Sequence, residues 1–231
     1  MNKNLLLLHG ALGSRAQFEA IISHLQPSCS VAAINFRGHG GNAIPSEPFT
    51  IASFAEDVIL WMDEHNIPKS DIFGYSMGGF VGLYLAHHHP ERVGKVMTLA
   101  TKFDWNEETA GRESAMLNPK KILQKIPAFA QQLEERHSPQ DWKLILQKTA
   151  EMMLSLGRKN PLTTDVLSSI QHSAMICVGD RDSMVSIEET VMAYRHLKQA
   201  CLLVFPATPH PLEKADMTRL CGEINTFFSL P

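Results

Sequence analysis

Along the chain, short and uniformly apolar runs alternate with longer stretches whose apolar residues recur every three to four positions. The short runs are Leu5–Leu8, Val31–Ile34, Ile72-Phe73, Val96–Ala100, Met175–Val178 and Leu202–Phe205. Runs of this length with no polar face predict parallel strands covered on both sides. Between them, Phe18, Ile21, Ile22 and Leu25 fall at i, i+3, i+4 and i+7, which predicts a helix capped by Ser14. Thr50 opens a second helix with Ile51, Phe54, Ala55, Val58, Ile59 and Met62 on one face, and Phe80–Ala86 is compatible with a third. Ser186-Ile187-Glu188-Glu189 has the form of a capping box for a helix reaching about Leu197. Met217, Leu220, Ile224 and Phe227 mark the last helix.

Strands alternating with helices predict an α/β protein with a mostly parallel, doubly wound sheet. The alternation is interrupted once. Residues 104–171 carry helical pattern only, with Ser138-Pro139-Gln140-Asp141 resembling a capping box and Asn160-Pro161 a second helix start. The expected organisation is one core domain, 1–103 and 172–231, with a helical cap, 104–171, inserted between two strands.

Composition narrows the function. Among 231 residues, 44% are hydrophobic, enough for a sizeable core, and the formal net charge is −3. No Lys/Arg block exists, which argues against a nucleic-acid partner. The four cysteines form no C-x-x-C pair; Cys177 and Cys201 lie in apolar runs and are expected as buried free thiols. Four leucines near the N-terminus are too few for a signal-peptide core or a membrane span, so a cytoplasmic protein with no membrane association is expected. His87-His88-His89 point around a helix end rather than at one centre, so no metal is expected.

The chemistry concentrates at Gly74-Tyr75-Ser76-Met77-Gly78-Gly79. An apolar strand precedes it and a helical run follows, the context a nucleophile elbow needs. A serine hydroxyl is a poor nucleophile at neutral pH; it needs a base, and the base needs an orienting acid. In parallel α/β sheets, ligand sites gather at the carboxyl ends of strands. Asp180 and Asp182 follow the fifth strand, His210 follows the sixth, and Asp104 follows the fourth.

Taken together, these stretches resemble the α/β-hydrolase superfamily over nearly the whole chain. His9-Gly10 resembles its oxyanion loop, Arg37-Gly38-His39-Gly40 its Arg-Gly-x-Gly loop, Gly179-Asp180-Arg181-Asp182 its Gly-x-x-Asp, and Thr208-Pro209-His210 the position of its base. Two positions depart from the family pattern: Asn35 stands where an Asp is usual, and Pro209 where a Gly is common. The chain opens at what resembles the third family strand.

The resemblance implies Ser76 as nucleophile, His210 as base and Asp182 as acid, with backbone N–H groups of Ala11 and Met77 forming an oxyanion hole. It implies a serine hydrolase of carboxylic esters or thioesters with no cofactor and a small-molecule substrate. Leu12, Phe80, Trp105, Met116 and Met152 are candidates for the substrate pocket. An apolar lid without a fixed cation would favour neutral, apolar acyl groups. Two other readings keep the same residues: a lyase or C–C hydrolase similar to the menaquinone-pathway synthase, using a cap arginine such as Arg112, Arg136 or Arg158, and a hydrolase-fold small-molecule receptor.

Overall fold

The computed structural model describes residues 4–25 and 30–230; Cys29, one of the four cysteines, lies outside them. The six predicted strands form one parallel sheet in the order β2-β1-β3-β4-β5-β6, where β1 is Asn4–Leu8, β2 Ser30–Ile34, β3 Ser70–Tyr75, β4 Val93–Leu99, β5 Ala174–Gly179 and β6 Ala200–Phe205. Alternate side chains of one strand serve opposite faces. In β1, Leu6 and Leu8 pack into one core while Leu5 and Leu7 pack into the other. All four are at most 1% exposed, so each contributes roughly 1.5–3 kcal/mol of burial.

The helices divide accordingly. α2 (Ile51–Glu64), α3 (Met77–His88) and α9 (Ile187–His196) share the first core; α1 (Glu19–Leu25) and α10 (Met217–Phe228) share the second. Ser14 stands at the N-cap of a short 3-10 turn, Arg15–Phe18, that leads into α1. Thr50 caps α2 by accepting from the Ser53 N–H at 3.0 Å, and Ser186 caps α9 in the same way through Glu189 at 3.1 Å.

Between β4 and β5 the chain is helical only: α4 (Glu107–Met116), α5 (Pro119–Lys125), α6 (Pro127–His137), α7 (Trp142–Arg158) and α8 (Thr164–Ser169). Their buried residues, among them Ile122, Leu133, Ile145 and Leu156, continue the first core without a break. Two expected helix starts are corrected. α7 begins at Trp142 with Asp141, not Ser138, as its cap, because the Asp141 carboxylate accepts the Lys143 N–H at 2.9 Å. Thr163 caps α8, whereas Asn160 is spent on the Phe103 carbonyl at 3.0 Å. Cys177 is buried as expected, but Cys201 is exposed, because β6 is an edge strand with an uncovered flank.

The register aligns the strand ends. Gly74 of β3 sits opposite Leu8 of β1 and Thr98 of β4, and Gly179 of β5 opposite Phe205 of β6. The residues that follow each strand therefore emerge along one edge. The winding reverses between β1 and β3, so the loops after these strands diverge and leave a crevice there.

Candidate active site

Ser76 stands between β3 and α3 with φ 52° and ψ −117°, a conformation that non-glycine residues avoid. The surroundings hold it there. Its N–H donates to the Leu99 carbonyl at 2.8 Å, and its own carbonyl accepts from the Thr101 hydroxyl at 2.9 Å. Gly74 and Gly78 make the turn possible. A Cβ on Gly74 would strike the backbone of Gly78 and Gly79, and one on Gly78 would strike the Leu8 carbonyl.

His210 follows β6 with its side chain 13% exposed, and its Nδ1 lies 2.8 Å from Oδ2 of Asp182. The Asp182 side chain is fully buried, and its other oxygen accepts the N–H groups of Met184 and Val185 at 2.8 and 2.9 Å. Asp180 is turned elsewhere, accepting the Thr208 N–H at 3.2 Å. Tyr75, which sequence reasoning passed over, donates its phenol to the His210 carbonyl at 3.0 Å. Burial and the nearby Glu213 charge push this phenol's pKa up, so it stays a donor.

Ser76 and His210 meet at a narrow cavity of about 50 Å³, several times what one water requires. Ala11, Met77, Phe80, Trp105 and Met152 also line it. Among the described residues the Ser76 hydroxyl makes no hydrogen bond, to His210 or to another group. Leu12 and Met116 are not at the cavity. Leu12, with φ 60°, packs into the first core, and its carbonyl is held by Arg136 at 2.9 Å and His137 at 3.2 Å. Met116, at the end of α4, is 51% exposed.

The cavity wall is mostly apolar, as expected of the lid, but it also carries two charged groups that were not anticipated. Lys102, from the loop after β4, and Glu113, from α4, both line the cavity. Lys102 Nζ donates to the Met184 carbonyl at 3.2 Å, lies 3.5 Å from the Glu189 carboxylate and stands over the Trp105 ring. The capping-box pattern had given Glu189 one partner; it also accepts the Phe103 N–H at 2.8 Å, which ties α9 to this loop. Helical periodicity offers a signal for Glu113 in retrospect, since it shares a face with buried Thr109 and Ala110.

Three buried histidines brace the loops beside the cavity. His9 Nε2 accepts the Phe36 N–H at 3.2 Å, while Nδ1 faces the Gly10 carbonyl at 2.8 Å. His137 Nδ1 accepts the Gly40 N–H at 3.1 Å. His39 packs between these two rings. Desolvation pushes His9 and His137 down to about 4 and His39 well below its usual value, so all three are neutral at pH 7. Asn35 explains its own departure from the family pattern. Its amide accepts the Arg15 N–H at 2.7 Å and donates to the Gly40 carbonyl at 3.0 Å, which a carboxylate could not do.

A strand-turn-helix serine, an Asp–His pair and a parallel sheet that positions both define a protein of the α/β-hydrolase class. Residues 3–132 match the family described as alpha/beta hydrolase fold, and the chain belongs to that family. It is 33% identical over 113 residues to 3-oxoadipate enol-lactonase 2 of Acinetobacter baylyi, covering 48% of this chain and 42% of that protein. It is 34% identical over 99 residues to a pimeloyl-[acyl-carrier protein] methyl ester esterase of Neisseria meningitidis, covering 43% of this chain and 37% of that one. The matched stretch thus spans less than half the length of either relative. The fold is also that of 2-hydroxy-6-oxo-6-phenylhexa-2,4-dienoate hydrolase from Rhodococcus sp. strain RHA1. That likeness has a TM-score of 0.83 at 21% identity, over 99% of this chain and 91% of that one.

Among the described residues, no group of His, Cys, Asp and Glu could hold a metal ion, and no helix is long and apolar enough to cross a membrane.

Proposed function

We propose that the protein is a serine hydrolase acting on small carboxylic esters or thioesters through an acyl-serine intermediate. Ser76 attacks the carbonyl carbon while His210 takes the hydroxyl proton. The tetrahedral oxyanion is received by the N–H groups of Ala11 and Met77, the latter a first-turn donor of α3 with no intrahelical partner. Collapse breaks the bond to the leaving oxygen or sulfur, and His210 returns the proton to it. Water then repeats the sequence and frees the acid. Asp182 holds the imidazole and balances its charge. The single observation that carries this reading is the 2.8 Å Asp182–His210 contact at the cavity that Ser76 lines. The missing Ser76–His210 bond accords with apo sites, where such bonds tighten on substrate binding. Residues 104–171 serve as the cap, since Glu113 of α4 and Met152, Met153 and Leu156 of α7 close the cavity.

The two sequence relatives, named for a lactonase and a methyl ester esterase, support ester chemistry. A lyase acting on a polycarboxylate has less support. Arg112 pairs with Glu113 and is largely exposed, Arg136 is held by Leu12, and Lys102 is engaged by Glu189. The test is fluorophosphonate labelling together with turnover of short p-nitrophenyl esters. Both are expected in the wild type and absent in Ser76→Ala. Labelling that survives the substitution overturns the nucleophile; a single turnover without recycling would instead indicate a receptor.

A further inference from the structure

The cavity wall carries one charged group that the fold leaves incomplete. Glu113 is 3% exposed on the packed face of α4 and lines the same cavity as Ser76. Its Oε1 accepts from Arg112 at 3.1 Å. Its Oε2 is buried and has no hydrogen-bond partner. The other charged groups nearby face partners of their own. Glu189 accepts from backbone N–H groups of Phe103, Asp104 and Ser186 and faces Lys102, which in turn donates to Met184. Lys102 and Glu189 thus neutralise each other, and Glu113 is the acceptor left over. Phe80, Met152, Met153 and Leu156, which share the cavity, have no side-chain donor to offer it.

An unpaired carboxylate oxygen in an apolar enclosure is unfavourable unless a donor arrives. We infer that Glu113 is a specificity-determining residue: it selects small esters carrying an O–H or N–H donor away from the reacting carbonyl. The inference rests on the acyl-serine reading of the same cavity. It narrows that reading from small esters in general to short, mostly apolar ones with one donor group. The narrowness of the cavity, about 50 Å³, agrees with a short chain.

The experiment compares matched esters that differ only in the donor. p-Nitrophenyl 3-hydroxybutyrate and p-nitrophenyl 3-aminopropanoate are set against p-nitrophenyl butyrate, and 2-hydroxyethyl acetate against propyl acetate. The wild type should prefer a donor ester by about tenfold or more in kcat/KM, the range of a hydrogen bond to a charged group. Glu113→Gln keeps an acceptor but no charge, so it should retain a hydroxyl preference and lose an ammonium preference. Glu113→Leu should abolish both and raise the rate on the apolar esters. The same esters are titrated against Ser76→Ala, where affinity reads the preference without catalysis. Ratios near one in wild type and variants alike, by rate and by affinity, overturn the inference and leave Glu113 a structural group served by buried water. Failure of every ester to turn over, with a donor preference still seen in Ser76→Ala binding, would overturn the hydrolase reading and leave the selectivity standing.

Discussion

The phenol of Tyr75 donates to the main-chain carbonyl of His210 at 3.0 Å, so the residue before Ser76 fixes the loop that carries the imidazole. The contact reaches across the sheet from β3, which supplies Tyr75, to the loop after β6, which carries His210, and the same histidine meets Asp182 from the loop after β5. Tyr75→Phe keeps the ring packing and removes only the donor. It should lower kcat roughly two- to thirtyfold with a small change in KM, the effect of about 0.5–2 kcal/mol of lost positioning. Thermal melting should move little. A change confined to KM would mean that the contact orients substrate rather than base.

The two aspartates after β5 should separate cleanly. Asp182→Asn is expected to reduce kcat by about 10⁴, because the amide favours the wrong imidazole tautomer. Asp180→Asn retains the oxygen that accepts from Thr208 and should stay near wild-type activity. Steady-state rates on one p-nitrophenyl ester decide between them, and the reverse order would assign the acid to Asp180.

Acid should destabilise the fold through the buried histidines. His9 and His137 have folded pKa values lowered from 6.5 to about 4, so between those values the unfolded chain binds more protons. Stability therefore rises with pH through this window, is fully present above about 6.5 and is lost as pH falls towards 4. Each histidine contributes of order 3 kcal/mol across the window. Melting temperatures from pH 7 to 4 should fall steeply, and His137→Gln should flatten the slope. An unchanged slope in that variant would show that the ring is not desolvated.

Asn35→Asp restores the residue usual in the family and should nevertheless destabilise this chain. The carboxylate keeps the Arg15 N–H but meets the Gly40 carbonyl with no proton to share. A loss of roughly 1–3 kcal/mol in urea unfolding is expected. Equal stability would mean that the loop repacks around the new side chain.

The strands and the elbow were legible because their signals are local. Four leucines in succession can only be a doubly covered strand here, and Gly74-x-Ser76-x-Gly78 records a turn that a Cβ would block. The chain order of Ser76, Asp182 and His210 was legible for the same reason, since each lies just beyond a strand. The charged wall was not. Lys102 and Glu189 are far apart in sequence and meet only when α9 docks beside the loop after β4. Glu113 lies on a helix rich in charged residues, and only the packing of α4 against α7 sets it apart from them. Ser138 closes α6 instead of opening α7, its N–H donating to the Glu134 carbonyl, and Asp141 supplies the cap.

The grip of Arg136 and His137 on the Leu12 carbonyl has a mechanical consequence. α6 and the loop bearing Ala11 form a single linkage, with the proposed cap at one end and a candidate oxyanion donor one residue from the other. Were α6 to swing outward, it would have to release Leu12 or drag the loop after it. The position of α6 and the geometry of the backbone around Ala11 are therefore set together.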